Sequence, residues 1–226
     1  MTVQDPTAVA APSPTEVFRA ARDLLVECQT DYERARAEFE WPRFEHFNFG
    51  FDWFDRLAQD PARQDVPALI IAEDDGRSTE RTFAEISAAS NRAANWLAEQ
   101  GLRRGDRLIL MLNNQVELWE TMLACTKLGA PMIPTTVMLG PTDLQDRVER
   151  GRAAWVVTSH TNALKFEDVP GDFTIIEVPD QPDHRPRSAP SVFASSAGHD
   201  DAAGAPEAGT AASSGEGEEP SPRKIG

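Results

Sequence analysis

Between residues 68 and 178, short apolar runs alternate with stretches of helical periodicity, and nothing else in the chain limits its fold so strongly. The runs are Ala68-Leu69-Ile70-Ile71-Ala72, Leu108-Ile109-Leu110-Met111-Leu112, Pro131-Met132-Ile133-Pro134, Ala154-Trp155-Val156-Val157-Thr158 and a weaker one over residues 173–178. A strand with one wet face alternates polar and apolar residues. The unbroken apolarity of residues 108–112 therefore predicts a strand covered on both sides. Strands that alternate with helices are the pattern of βαβ units and of a mainly parallel sheet. The predicted fold class is α/β.

Local signals place the breaks. Asp74-Asp75-Gly76 reads as the turn of a hairpin whose second strand is residues 78–81. Thr82-Phe83-Ala84-Glu85 has the form of a capping box, in which hydroxyl and carboxylate each accept from the other residue's backbone N–H. Phe83, Ile86, Ala89, Ala93 and Leu97 then share one helical face, and Gly101 is placed to end the helix in a left-handed turn. Val116, Trp119, Met122, Leu123 and Thr126 mark a second helix, stopped at Gly129. Pro141 opens a third, over residues 141–150.

Upstream, residues 1–14 read as a flexible arm. An amphipathic helix is predicted over residues 15–43, its periodicity running to about Glu40 through Phe18, Ala21, Leu25, Cys28, Tyr32 and Phe39. Ser13 or Thr15 would cap it and Pro42 stop it. Such a helix serves a partner or packs on its own domain, and the second reading is preferred. Phe44, Phe47, Phe49, Phe51, Trp53 and Phe54 crowd the next segment. A base-stacking platform would need basic neighbours, and Glu45, Asp52 and Asp55 have the wrong sign. The segment is expected to anchor onto the core, with a short helix over residues 52–59. Residues 181–226 are dominated by Ala, Gly, Ser, Pro and Glu, cannot bury enough apolar surface to offset ordering, and are predicted to be a disordered tail.

The formal net charge is −15, which opposes binding to nucleic acid or an anionic membrane and favours solubility. No apolar run is long enough for an integral membrane segment. The first residues, Met1-Thr2-Val3-Gln4-Asp5, show no secretory leader. Cys28 and Cys125 are far apart, lack metal-ligand spacing and read as small buried hydrophobes. Unpaired cysteines suit a reducing compartment, and the expected localisation is cytoplasmic.

Three stretches in order resemble the AMP-forming acyl-CoA synthetases of the adenylate-forming superfamily. Arg81-Thr82-Phe83-Ala84-Glu85-Ile86 is similar to that family's first core motif. Gly105-Asp106-Arg107-Leu108 through Asn113-Asn114 is similar to its Gly-Asp strand and asparagine turn. Lys127-Leu128-Gly129-Ala130-Pro131-Met132-Ile133-Pro134 is similar to its second core motif. The resemblance covers residues 44–178 and implies a partial AMP-binding domain over residues 44–180, the N-terminal subdomain of that fold. Phe47-Asn48-Phe49 and residues 135–147 look most like the medium-chain or general fatty-acid branch.

The resemblance implies a two-step reaction. A carboxylate attacks the α-phosphate of ATP, and CoA thiolate then displaces AMP from the acyl-adenylate. It also implies ATP, Mg and CoA as cofactors of full-length members and a fatty or other carboxylic acid as substrate. The family's Gly/Ser/Thr loop, which meets developing phosphate charge with backbone N–H groups and hydroxyls, is absent from this sequence. The chain is therefore expected to stop short of the chemistry and to be inactive alone, and no catalytic, cofactor-binding or metal-binding residue is assigned. Shifted by one nucleotide, codons for residues 198–201 can read Gly-Thr-Thr and those for 205–207 Arg-Pro-Lys. This motivates the expectation that the tail is an out-of-frame reading of that loop. Lys127 matches a structural position, not the catalytic lysine. His160 is the one acid/base candidate; no partner for it is evident in the sequence, and a plain loop histidine is the preferred reading. The alternative is a non-enzymatic module that self-associates or pairs with a full-length or split synthetase through the 15–40 helix and a sheet edge.

Overall fold

The computed structural model describes residues 11–73 and 76–180 in full, and the backbone of Arg223–Ile225. Helix α1 spans Pro14–Glu27. Ser13 caps it, and the reciprocal bonds with Glu16 form a capping box. The single helix predicted here is in fact two, because α1 ends at Cys28 and α2 starts afresh at Tyr32–Glu38. The Asp31 carboxylate accepts from Arg34 N at 3.0 Å. Asp at this position satisfies the backbone better as a cap than inside a helix.

The aromatic segment does anchor, and α1 is what it holds. Phe18 stacks on Phe47 at 5.2 Å and meets Trp53 edge-on at 4.8 Å. The Thr15 hydroxyl donates to Asp52 O. The predicted helix over residues 52–59 begins earlier and in another form. Phe49–Phe54 is a π-helical turn, and helix α3, Asp55–Gln59, continues from it. Asn48 starts the turn by accepting from both Gly50 N and Phe51 N.

Strands β1 (Pro67–Ala72) and β2 (Ser78–Thr82) pair antiparallel as a separate hairpin. Thr82 caps α4, Phe83–Gln100, with the capping box read from sequence, and Gly101 ends it at φ +110°. Then follow β3 (Leu108–Met111), α5 (Val116–Leu128), β4 (Met132–Pro134), α6 (Pro141–Gly151), β5 (Trp155–Ser159), α7 (His160–Ala163) with a 3-10 turn over Leu164–Phe166, and β6 (Phe173–Val178). Residues 181–222 of the expected tail lie outside the described residues. Arg223–Ile225, assigned to that tail, form β7, antiparallel to β6.

The main sheet has the order β4-β3-β5-β6-β7, and β4, β3, β5 and β6 run parallel. Alternation along each strand splits the core between two faces. Leu108, Leu110, Trp155, Val157, Ile176 and Val178 pack with Ala93, Leu97, Ala124 and Cys125 of α4 and α5. Ile109, Met111, Val156, Phe173 and Ile175 pack with Leu144 and Val148 of α6 and with Phe166. All four residues of β3 are buried, as its unbroken apolarity requires. Both cysteines are buried and free.

From β3 the chain passes through α5 to β4 on one side, then through α6 to β5 on the other. Strand order therefore reverses at β3, and the carboxyl ends of β3 and β5 flank the reversal. In open α/β sheets that is where ligands bind.

Candidate functional site

Asn113, Asn114 and Gln115 follow β3, while Ser159 and His160 close β5. Ser159 caps α7 and accepts from Asn162 through its backbone N and its Nδ2. The Asp180 carboxylate accepts from Thr161 N at 3.0 Å and from its hydroxyl at 2.7 Å. Desolvation pushes the exposed Asp180 carboxyl up, but hydrogen bonds from Thr161 and Ser159 outweigh it, and its pKa lies below the ordinary 3.8. His160 does have a partner, contrary to the sequence reading. Its Nδ1 lies 2.6 Å from Glu177 Oε2. The pair joins the ends of β5 and β6, and a contact 17 residues apart leaves no local sequence signal. The His160 side chain is 67% exposed.

A second polar constellation is buried between α3, α4 and α5. The Lys127 ammonium donates to Asp55 Oδ1 at 2.7 Å, Ser90 Oγ at 2.9 Å and Asn91 Oδ1 at 2.6 Å. The Ser87 carbonyl is a fourth, longer acceptor at 3.4 Å, so the three N–H donors are fully used. Ser87 Oγ donates to the same Asp55 oxygen, and Phe51 presents its ring 5.8 Å from the ammonium. The Lys127 side chain is 0% exposed. Burial lowers its pKa, opposed by the hydrogen bond and charge of Asp55. Gly50 is required beside it, since a Cβ there would sit 2.6 Å from Lys127 Cγ. Asn48 Nδ2 completes the joint by donating to Thr126 O and Lys127 O, two carbonyls of the last turn of α5.

Sequence reasoning placed Lys127 as structural but missed Asp55, Ser87, Ser90, Asn91 and Asn48. Two signals were present. Ser87, Ser90 and Asn91 fall at i, i+3 and i+4, a polar stripe beside the apolar face of α4. Lys127 is also one of only three lysines in a chain with nineteen arginines, and the compact ammonium suits acceptors that converge on one point.

Neither constellation fits a nucleoside triphosphate. The buried cation is already matched by Asp55, and the carboxyl rim of β6 carries Glu177 and Asp180, which repel phosphate. Among the described residues, no three His, Cys, Asp or Glu side chains converge as a metal site. No described helix is long and apolar enough to cross a membrane.

Residues 56–222 match the AMP-binding enzyme family, a match that begins within α3 and runs past residue 180. A mitochondrial acyl-coenzyme A synthetase of Rattus norvegicus, ACSM5, is 34% identical over 132 residues, covering 57% of this chain and 23% of that protein. The mitochondrial ACSM3 of the same species is 28% identical over 160 residues, covering 69% of this chain and 28% of that protein. The crystal structure of Brucella canis acyl-CoA synthetase superposes with a TM-score of 0.59 at 25% identity, over 69% of this chain and 30% of that one. The chain spans about a quarter of the length of the curated relatives it matches. The capped α4, the reversal at β3 and Lys127 itself lie within the matched residues, and the chain belongs to the AMP-binding enzyme family.

Proposed function

We propose that this chain is the N-terminal subdomain of a fatty-acid CoA ligase, medium-chain or general in its acyl preference, and that by itself it is inactive. The similarity to acyl-coenzyme A synthetases over the hairpin, α4, α5 and the parallel sheet carries this reading. In a complete ligase ATP, Mg and CoA would serve the adenylate and thioester steps, with a carboxylic acid as substrate. The subdomain supplies the sheet whose carboxyl ends face the ligand. The inactive reading is supported by the lack of the Gly/Ser/Thr phosphate loop in these residues and by the poor fit of Glu177 and Asp180 to a triphosphate. The proposed compartment is the cytoplasm, a reading that rests on two free buried cysteines.

The test is pyrophosphate release by the purified 226-residue chain with ATP, Mg and a series of fatty acids. No release above a boiled control is expected. Robust turnover with any acid would sink the inactive reading and call for a phosphate site in this chain.

A second reading is a non-enzymatic module that associates with a full-length or split synthetase. Its support is the exposure of large apolar side chains, with Ile70 59%, Leu164 57% and Met138 87% exposed. Light scattering of the chain alone, and then mixed with a full-length acyl-CoA synthetase, separates the two readings. A monodisperse monomer that ignores the synthetase removes the second.

A further inference from the structure

The two sides of the main sheet end differently. β4 has three residues, none buried, and Pro131 and Pro134 bracket its exposed edge. Short length and proline are how sheets blunt an edge. On the other side, β6 has Phe173, Ile175, Ile176 and Val178 no more than 5% exposed. That is the burial of an interior strand, and an interior strand needs both rows of its backbone groups paired.

Backbone alternation shows which row needs what. Thr174 N donates to Ala154 O at 2.9 Å, toward β5. The amides of Ile176 and Val178 therefore also face β5, and those of Phe173, Ile175 and Glu177 face outward. In β7, Ile225 lies opposite Phe173 and Arg223 opposite Ile175. These are the hydrogen-bonded pairs, and together they close two of the three outward positions.

We propose that Arg223–Ile225 is an edge guard that closes the outer row of β6 in cis, and that without it this row becomes a surface on which β6 of a second copy docks. The occupant in the intact chain is its own C-terminal strand. Residues 181–222 separate it from Asp180, a length that puts β6 within reach, and the entropy of closing a loop grows only with the logarithm of its length. A tethered strand outcompetes a second molecule at ordinary protein concentrations.

The test compares the intact chain with one ending at Pro222 and with the full-length Arg223→Pro/Ile225→Pro variant, which removes the two inward donors of β7. Single-residue amide exchange is measured where all three sediment as monomers. In both altered chains, Phe173 and Ile175 are expected to exchange about ten-fold faster, the equilibrium factor of one net hydrogen bond. Thr174 and Ile176, bonded to β5, keep their rates. At higher concentration the altered chains associate in sedimentation velocity and the intact chain does not. Unprotected Phe173 and Ile175 in the intact chain, or no change in the altered chains, overturns the guard. Loss of protection without association overturns the docking surface.

Discussion

Behind Leu108, Leu110, Trp155 and Val157 lie α4 and α5, and between those helices and α3 lies a buried lysine with its carboxylate. Behind Ile109, Met111 and Val156 lie α6 and the turn at Phe166, and no charged residue of those covering elements is buried. The same sheet is thus closed by two chemistries. The α6 face is built from neighbours in sequence and needs only apolar volume. The α4–α5 face also holds a segment from far upstream, since Asp55 and Lys127 are 72 residues apart. A buried ion pair is weak evidence for net stability, because desolvation offsets most of the attraction. Our hypothesis is that it specifies where the aromatic segment docks, which apolar contact alone would leave free to slide.

Lys127 is where the two faces differ most. Lys127→Met leaves Asp55 buried and unpaired, and should cost about 3–5 kcal/mol in urea unfolding. Lys127→Met with Asp55→Asn should recover part of that loss. A double variant as unstable as the two single losses added together would show that the pair does not act as a unit. On the other face, Leu144→Ala should cost roughly 3 kcal/mol through the cavity it leaves, whereas Leu144→Met should cost less than about 1.5 kcal/mol. If Lys127→Arg, which keeps the charge, proves as harmless as Leu144→Met, the two faces are not distinct in the way described.

Smaller changes sharpen the picture. Gly50→Ala drives a Cβ toward Lys127 Cγ and should cost about 1–3 kcal/mol by overpacking. The penalty should shrink in a Lys127→Ala background, and equal penalties in both backgrounds would break the link between Gly50 and the lysine stem. The smallest effect lies at the sheet's carboxyl rim. The folded-state pKa of Asp180 is below the ordinary 3.8, so its contribution is full above that value and is lost as pH falls through the lowered one. Thr161→Val removes a hydroxyl donor and should move that loss to higher pH. An acid unfolding curve unchanged by Thr161→Val would remove Asp180 from the account.

Local signals mark nearly every element of the α/β core. The signals that place α4 are all local: Thr82 with Glu85 at its start, one apolar face, and Gly101 at its end. Apolar runs likewise identify β3 and β5, since a strand buried on both faces has no wet side to interrupt it. The family, too, was legible, because its motifs are these same turns and caps in order. The break at Asp31 was missed because periodicity continues across it on both sides, and only the cap geometry shows which bonds the backbone makes.

The partners of the polar side chains come from packing between distant elements. Nothing local in Lys127 names Asp55, nor does His160 point to Glu177. That packing also set the hairpin apart from the main sheet and put β7 on the edge of β6, at the far end from β4. Secondary structure answers to forces within a few residues, which a sequence displays directly. A buried charge answers to whatever acceptors the folded chain brings within about 3 Å of it, and that distance is set by the packing of the whole domain.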